Sequence, residues 1–190
     1  MDADGLIFGC AMAVEERIAR RFGPTVRLGI GASKGIPAEG DLVSFGIAGA
    51  LRPGLEIGTV IDATRVVDEN GGVLWEGQPL GIQPAVTGTI LGASWIVDNA
   101  EERARLHETT GADAVDMESG PLARAGRLVG CIRAISDAPG RELAGLADGV
   151  RPDGEVDYLG LTRGFLRAPR ETARAARDAR RALKSLEAVA

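Results

Sequence analysis

Three acidic residues beside apolar segments are the residues of this sequence most suited to chemistry. Asp116 and Glu118 follow the apolar pair at 114–115, and Asp137 follows the apolar run at 131–135. A carboxylate is costly to bury unless it binds a partner or a ligand. At predicted junctions between strands and helices, such carboxylates therefore indicate a binding or catalytic site.

The elements that must position these acids are predicted to alternate between strands and helices. Apolar runs typical of strands cover 6–12, 26–30, 41–47, 58–67, 86–90, 95–97, 114–117 and 130–136, and helical patterns cover 15–22, 100–109 and 120–128. Asn99 can cap the helix at 100–109, whose Glu and Arg side chains we expect to be mostly solvated. The runs lack polar alternation, which indicates a sheet covered on both faces.

Two glycine-rich stretches are predicted to be irregular. Gly46 to Gly49 is expected to form a turn of small residues that lets a ligand approach the backbone. Pro139 to Asp157 is polar and is expected to be a loop.

Composition favours one α/β domain. The chain has 190 residues, 45% hydrophobic and 26% charged, which suffices for one sizeable core. Its 27 glycines suit many short junctions between strands and helices. A net charge of −5 gives no electrostatic case for nucleic acid, so DNA and RNA are excluded as expected partners.

Cysteine and histidine usage indicates neither a redox motif nor a metal site. Cys10 and Cys131 are far apart in apolar stretches, as expected for buried thiols in a reducing compartment, and His107 is the only histidine. The apolar run at 5–14 lacks a basic leader and is too short to span a bilayer. We expect a cytoplasmic protein without a metal or redox cofactor.

Three sequence blocks resemble one enzyme superfamily. GADAVDME at 111–118, RAISD at 133–137 and SFGIAGAL at 44–51 are similar to motifs of the purine nucleoside phosphorylase and methylthioadenosine/S-adenosylhomocysteine nucleosidase superfamily. The resemblance implies a single three-layer α/β catalytic domain over 1–190, with a mixed, largely buried central sheet flanked by helices. Residues 13–21 and 136–143 look most like the hopanoid-associated branch, which is implicated in releasing adenine from adenosylhopane.

Breaking an N-glycosidic bond requires an acid near the leaving purine and a polar grip on the ribose. The resemblance places Asp137 beside purine N7, with Ser136 orienting it, and apolar surroundings would help Asp137 hold a proton. It assigns Glu118 to the ribose hydroxyls and Met117 to packing on the sugar. The alternatives are a turn-forming Asp137 and a Glu118 that only stabilises a first helical turn.

The remaining site residues also come from the resemblance. It indicates Glu15 or Glu16 as the base that activates water, and Glu15 is preferred because Ile18 and Ala19 share its helical face. The purine would be sandwiched by Trp95 and Ile96, although a Trp here is equally consistent with ordinary core. Further predicted contacts to the substrate are made by three residues of the glycine-rich turn, Ile47, Ala48 and Gly49.

Several functional alternatives remain open. Phosphate could replace water as nucleophile, with Arg27, Arg52 and Arg65 as candidate ligands, or the substrate could be methylthioadenosine or S-adenosylhomocysteine. A silent purine-binding protein is the alternative outside enzymology. Superfamily members assemble as dimers or larger rings, so we expect a homo-oligomer.

The C-terminal segment carries basic residues at helical spacing. They form a stripe that is either a solvated helix face or a surface for peripheral contact with anionic lipid: Arg167, Arg170, Arg174, Arg177, Arg181 and Lys184.

Overall fold

The computed structural model describes residues 5–139 and 168–189, so most of the predicted loop at 139–157 lies outside the described residues. The strands are β1 Leu6–Cys10, β2 Thr25–Arg27, β3 Asp41–Ala50, β4 Val60–Val67, β5 Val73–Glu76, β6 Val86–Gly92, β7 Ala114–Asp116 and β8 Leu128–Asp137. The helices are α1 Ala13–Ala19, α2 Ala100–Thr110, α3 Ser119–Arg124 and α4 Pro169–Ala188, with a 3-10 turn at Ile30–Ala32.

All eight of these strands belong to one mixed sheet. Five of them pair in a closed ring in the order β3, β8, β4, β6 and β7, with β7 returning to β3. β1 and β2 extend the sheet from β3, and β5 extends it from β4. The predicted α/β class with a mixed central sheet is therefore confirmed.

Helices cover both faces of this sheet, as the apolar strands predict. Phe8 packs in a cluster with Ile18 of α1 and Leu186 of α4, whereas the adjacent Gly9 faces Leu122 of α3. Because successive strand residues point to opposite faces, α1 and α4 lie on one side and α3 on the other. Cys10 and Cys131 are buried and free, as predicted.

Three local predictions were wrong. The predicted turn at Gly46 to Gly49 is part of β3, because β8 pairs with this segment along its length. Residues 95–97 form no strand, since β6 ends at Gly92 and the chain then leaves the sheet. β5 was missed; it forms a hairpin with β4 across the turn at 68–72.

The helix predicted at 120–128 is shorter than expected. α3 covers only Ser119–Arg124, and Gly126 follows it with φ of 67°. This left-handed conformation is favourable for glycine and ends the helix. Residues 128 and 129 then belong to β8, which gains pairing with β3.

Candidate active site

A cavity of about 200 Å³ lies where β1, β3 and β8 end. These three strands are parallel, so their carboxyl ends meet at one edge of the sheet. The residues that the sequence analysis preferred for catalysis and substrate binding all line this cavity: Glu15, Ile47, Ala48, Gly49, Trp95, Ile96, Met117, Glu118, Ser136 and Asp137.

Glu15 enters the cavity from the first turn of α1 and is 1% exposed. Its Oε1 accepts a hydrogen bond from the Ile47 N–H at 3.0 Å, and its Oε2 accepts one from the Met12 N–H at 2.9 Å. Burial raises the pKa of Glu15, while Arg133 and the backbone N–H donors oppose the increase. The result is a fixed, buried carboxylate with increased affinity for a proton.

Glycine at position 46 leaves room for that carboxylate. A Cβ atom there would collide with Glu15 Oε1 and would lie 2.6 Å from Arg133 Nη1. The glycine-rich segment was expected to let a ligand approach the backbone. In the structure, Gly46 lets the Glu15 and Arg133 side chains approach the backbone of β3.

Glu118 follows β7 and immediately precedes α3. Its Oε1 accepts a hydrogen bond from the Gly31 N–H at 3.0 Å, and its Oε2 lies 3.5 Å from Arg133 Nη2. Burial, reinforced by the negative charges of Asp116 and Glu15, raises the pKa of Glu118 to about 7, although Arg133 opposes the shift. Gly31 belongs to a 3-10 turn and was not predicted as part of the site.

Arg133 is the main charged residue that the sequence analysis missed. It is fully buried, and its Nε donates to Asp116 Oδ2 at 2.6 Å while its Nη2 donates to Ser44 Oγ at 2.5 Å. Asp116 also accepts from the Ser119 hydroxyl, so it anchors both Arg133 and the start of α3. The apolar residues of β8 on either side of position 133 could have identified Arg133 as buried. A buried cation requires anionic partners, so this pattern would also have predicted acids close to it.

Asp137 is held by a residue that was expected to be solvated. Its Oδ1 accepts from Ser136 Oγ at 2.8 Å, as the predicted orienting role requires, but its Oδ2 forms an ion pair with Arg103 Nη2. Arg103 lies on α2 and is 1% exposed, so it is an exception to the mostly solvated Glu and Arg side chains expected on this helix. The surroundings of Asp137 are accordingly ionic instead of purely apolar.

Apolar side chains form most of the remaining wall. Met117, Ile47 and Trp95 line the cavity, and Ile96 stands at its rim with 45% of its surface exposed. The Trp95 indole N–H donates to Glu102 Oε1 at 3.1 Å, which fixes the ring plane. This side of the cavity can accept a flat apolar ring.

The other candidate charges lie outside the cavity lining. Glu16 pairs with Arg27 and Arg20 outside the cavity lining, so of the two candidate bases Glu15 lines the cavity. Arg52 pairs with Asp113, and the last candidate phosphate ligand, Arg65, pairs with a glutamate of β5. Within residues 5–139 and 168–189, Arg103 is the cation that lines the cavity.

The described part of the chain has neither a cluster of metal-binding side chains nor a membrane-spanning helix. It contains no group of three His, Cys, Asp or Glu side chains placed to hold a metal ion. No helix within residues 5–139 and 168–189 has the length and hydropathy of a transmembrane span.

Residues 76–157 match the family model of the Phosphorylase superfamily. This range covers less than half of the chain, but it includes Trp95, Met117, Glu118 and Asp137. No curated protein matches the sequence significantly. The match agrees with the superfamily that the sequence motifs resemble.

Solved structures of nucleosidases have the same fold. A variant of the 5'-methylthioadenosine/S-adenosyl homocysteine nucleosidase (MTAN) of Chlamydia trachomatis, bound to MTA, is 15% identical, with a TM-score of 0.62 over 97% of this chain and 94% of that one. The corresponding S. pneumoniae nucleosidase, with a transition-state inhibitor, is 17% identical, with a TM-score of 0.58 over 97% and 99%. Futalosine hydrolase of Helicobacter pylori is 15% identical, with a TM-score of 0.52 over 92% and 96%. At these identities the similarity shows a shared fold.

Proposed function

We propose that this chain is a nucleosidase that cleaves the N-glycosidic bond of an adenosine-type nucleoside. The observation that carries the proposal is that Glu15, Glu118 and Asp137 come from three different elements and line one apolar-walled cavity. Buried acids that converge on a cavity are typical of acid–base catalysis. We take residues 1–190 as one catalytic domain.

Each acid has a separate role in this reaction. Asp137 donates a proton to the purine as the glycosidic electron pair leaves with the base. Glu118 accepts hydrogen bonds from the ribose hydroxyls, and Met117 packs against the sugar. Glu15 takes a proton from the water whose oxygen bonds to the anomeric carbon, a role supported by its raised pKa.

The lining of this cavity suits water better than phosphate as the bound nucleophile. A bound phosphate requires several convergent cationic or backbone donors. Among the described residues, the cavity-lining cation Arg103 is already paired with Asp137, and Arg27, Arg52 and Arg65 are paired elsewhere. Hydrolysis is therefore the proposed reaction, and phosphorolysis is the alternative.

We further propose a lipid-linked substrate, with adenosylhopane as the specific candidate. The supporting observations are the hopanoid-like sequence blocks and the exposed apolar Ile96 at the cavity rim. Methylthioadenosine and S-adenosylhomocysteine are the alternative substrates, since the structural relatives include nucleosidases of that specificity. We also propose that the protein is a cytoplasmic homo-oligomer, and a monomer in light scattering would contradict that assembly.

Adenine release from adenosylhopane and from methylthioadenosine, each with and without phosphate, tests these proposals. We expect phosphate-independent release that Asp137→Asn reduces by about 100-fold or more, because a general acid contributes that much. Asp98→Asn, at an exposed position, is the matched control. A phosphate requirement would indicate a phosphorylase, preference for methylthioadenosine would reassign the substrate, and no release would favour a silent binder.

A further inference from the structure

Arg103 is an unusual residue because it is a cation on the buried side of α2, where Leu106 is the other buried residue. It is 1% exposed, whereas Arg105, two positions further along α2, is exposed. Its Nε donates to the Val97 carbonyl at 2.9 Å, and its Nη1 donates to the Ala50 carbonyl at 3.2 Å. Its Nη2 forms the ion pair with Asp137. One side chain thus links the end of β3, the segment after β6 and the end of β8.

Burial of this guanidinium requires compensation. Removing a cation from water is strongly unfavourable unless an anion and hydrogen-bond acceptors replace the solvent. The two carbonyls satisfy donors, and Asp137 supplies the negative charge. The ion pair with Asp137 therefore offsets the cost of burying the Arg103 guanidinium.

The backbone of β3 also accommodates the pair. A Cβ atom at Gly49 would lie 3.0 Å from Asp137 Oδ2 and 3.3 Å from both terminal nitrogens of Arg103. Glycine at this position therefore keeps the wall of the cavity close to the ion pair without displacing it.

We propose that Arg103 is a positioning residue for Asp137, an inference that rests on the proposed nucleosidase function. Arg103 holds the carboxyl group by Oδ2 while Ser136 holds Oδ1. Asp137 takes up a proton from water before the reaction. As the purine leaves, that O–H bond breaks and an N–H bond forms on the base, so Asp137 returns to the anionic form that pairs with Arg103. Arg103 keeps its own protons throughout and compensates that new negative charge.

The test compares two substrates that differ in their need for an acid. The first is a purine nucleoside that the protein cleaves, and the second is 4-nitrophenyl riboside, whose phenolate leaves without a proton. We expect Arg103→Gln to lower kcat by about 30-fold on the nucleoside and by less than about 3-fold on the nitrophenyl riboside. Arg103→Lys retains a cation and should recover part of the loss.

The ratio of the two kcat values is independent of the folded fraction, because misfolding lowers both equally. Gly49→Ala provides a second variant, since it displaces the same ion pair from β3 and should lower the same ratio. In an Asp137→Asn background, Arg103→Gln should cause no further loss on the nucleoside. Arg105→Gln is the matched control on the same helix.

Equal losses on both substrates, or additive losses in the double variant, would show that Arg103 only stabilises the fold and would overturn this inference alone. Failure of the unaltered protein to cleave any nucleoside would instead remove the proposed function, and this inference with it.

Discussion

At the residue scale, the cavity wall contains more acidic than basic groups. Four buried acids line the cavity, Glu15, Asp116, Glu118 and Asp137, whereas Arg103 is the lining cation and Arg133 pairs with two of these acids from outside the lining. Loss of a purine leaves positive charge on the sugar, and preorganised negative groups stabilise that charge in a site removed from water. The charge balance of the wall therefore suits the proposed reaction.

Glu118 should make the stability of the protein depend on pH. Its pKa of about 7 exceeds the value of about 4.3 for glutamate in an unfolded chain. The folded protein thus binds a proton that the unfolded chain releases, so this stabilisation is complete below about pH 4.3 and is lost as pH rises through 7. Its size is on the order of 4 kcal/mol.

Urea denaturation at several pH values tests this effect. We expect the free energy of unfolding to fall less between pH 5 and 8 in Glu118→Gln than in the unaltered protein. Glu101→Gln, at an exposed position of α2, should keep the original pH dependence. Identical profiles for all three proteins would contradict the raised pKa. The groups that face Glu118 are Arg133, Asp116 and Glu15.

At the element scale, a close approach between β6 and α3 positions the Glu118 region. A Cβ atom at Gly92 would lie 2.5 Å from both Cα and N of Gly120. Because both atoms are backbone, α3 would have to shift, and Glu118 immediately precedes this helix.

Gly92→Ala should therefore destabilise the protein by about 1 to 3 kcal/mol, as overpacking does. It should also reduce nucleosidase activity, since Glu118 moves with α3. Gly23→Ala is the matched control, because the nearest atom to a Cβ there is 3.5 Å away. The measurements are urea denaturation and adenine release, and equal stability of the two variants would argue against the close packing.

At the scale of the whole molecule, α4 is amphipathic. Thr172, Ala175, Ala182 and Leu186 are its buried residues. The described members of the basic stripe are exposed: Arg170, Arg174, Arg177, Arg181 and Lys184. Arg167 lies outside the described residues. We propose that this surface contacts anionic lipid, which would suit an enzyme with a lipid-linked substrate.

Vesicle sedimentation tests the lipid contact. We expect binding to vesicles with anionic lipid, weakened at least tenfold by the triple variant R170E/R174E/R177E, since each basic residue contributes about 1 kcal/mol near such a surface. The variant R17E/R105E/R124E, which reverses three exposed arginines elsewhere, controls for net charge. If the unaltered protein does not bind, the stripe is a solvated helix face.

The sequence by itself determined the α/β class, the capped helix α2 and the acids that line the cavity. Local patterns suffice for these features, because apolar runs predict strands, Asn99 and Gly111 delimit α2, and acids beside apolar runs stand out. Glu15 was preferred over Glu16 because of the apolar residues on its helical face, and the structure places Glu15 in the cavity.

Only the tertiary structure decided which charges are partners. The contacts of Arg103 with Asp137 and of Arg133 with Ser44 join residues distant in the chain. Leu106, three positions after Arg103, indicates that Arg103 faces the core, but no local pattern identifies its partner. The same reason explains why Gly46 to Gly49 forms strand instead of turn: pairing with β8 supplies its hydrogen bonds. Long-range pairing overrides local preference where burial requires every polar group to find a partner.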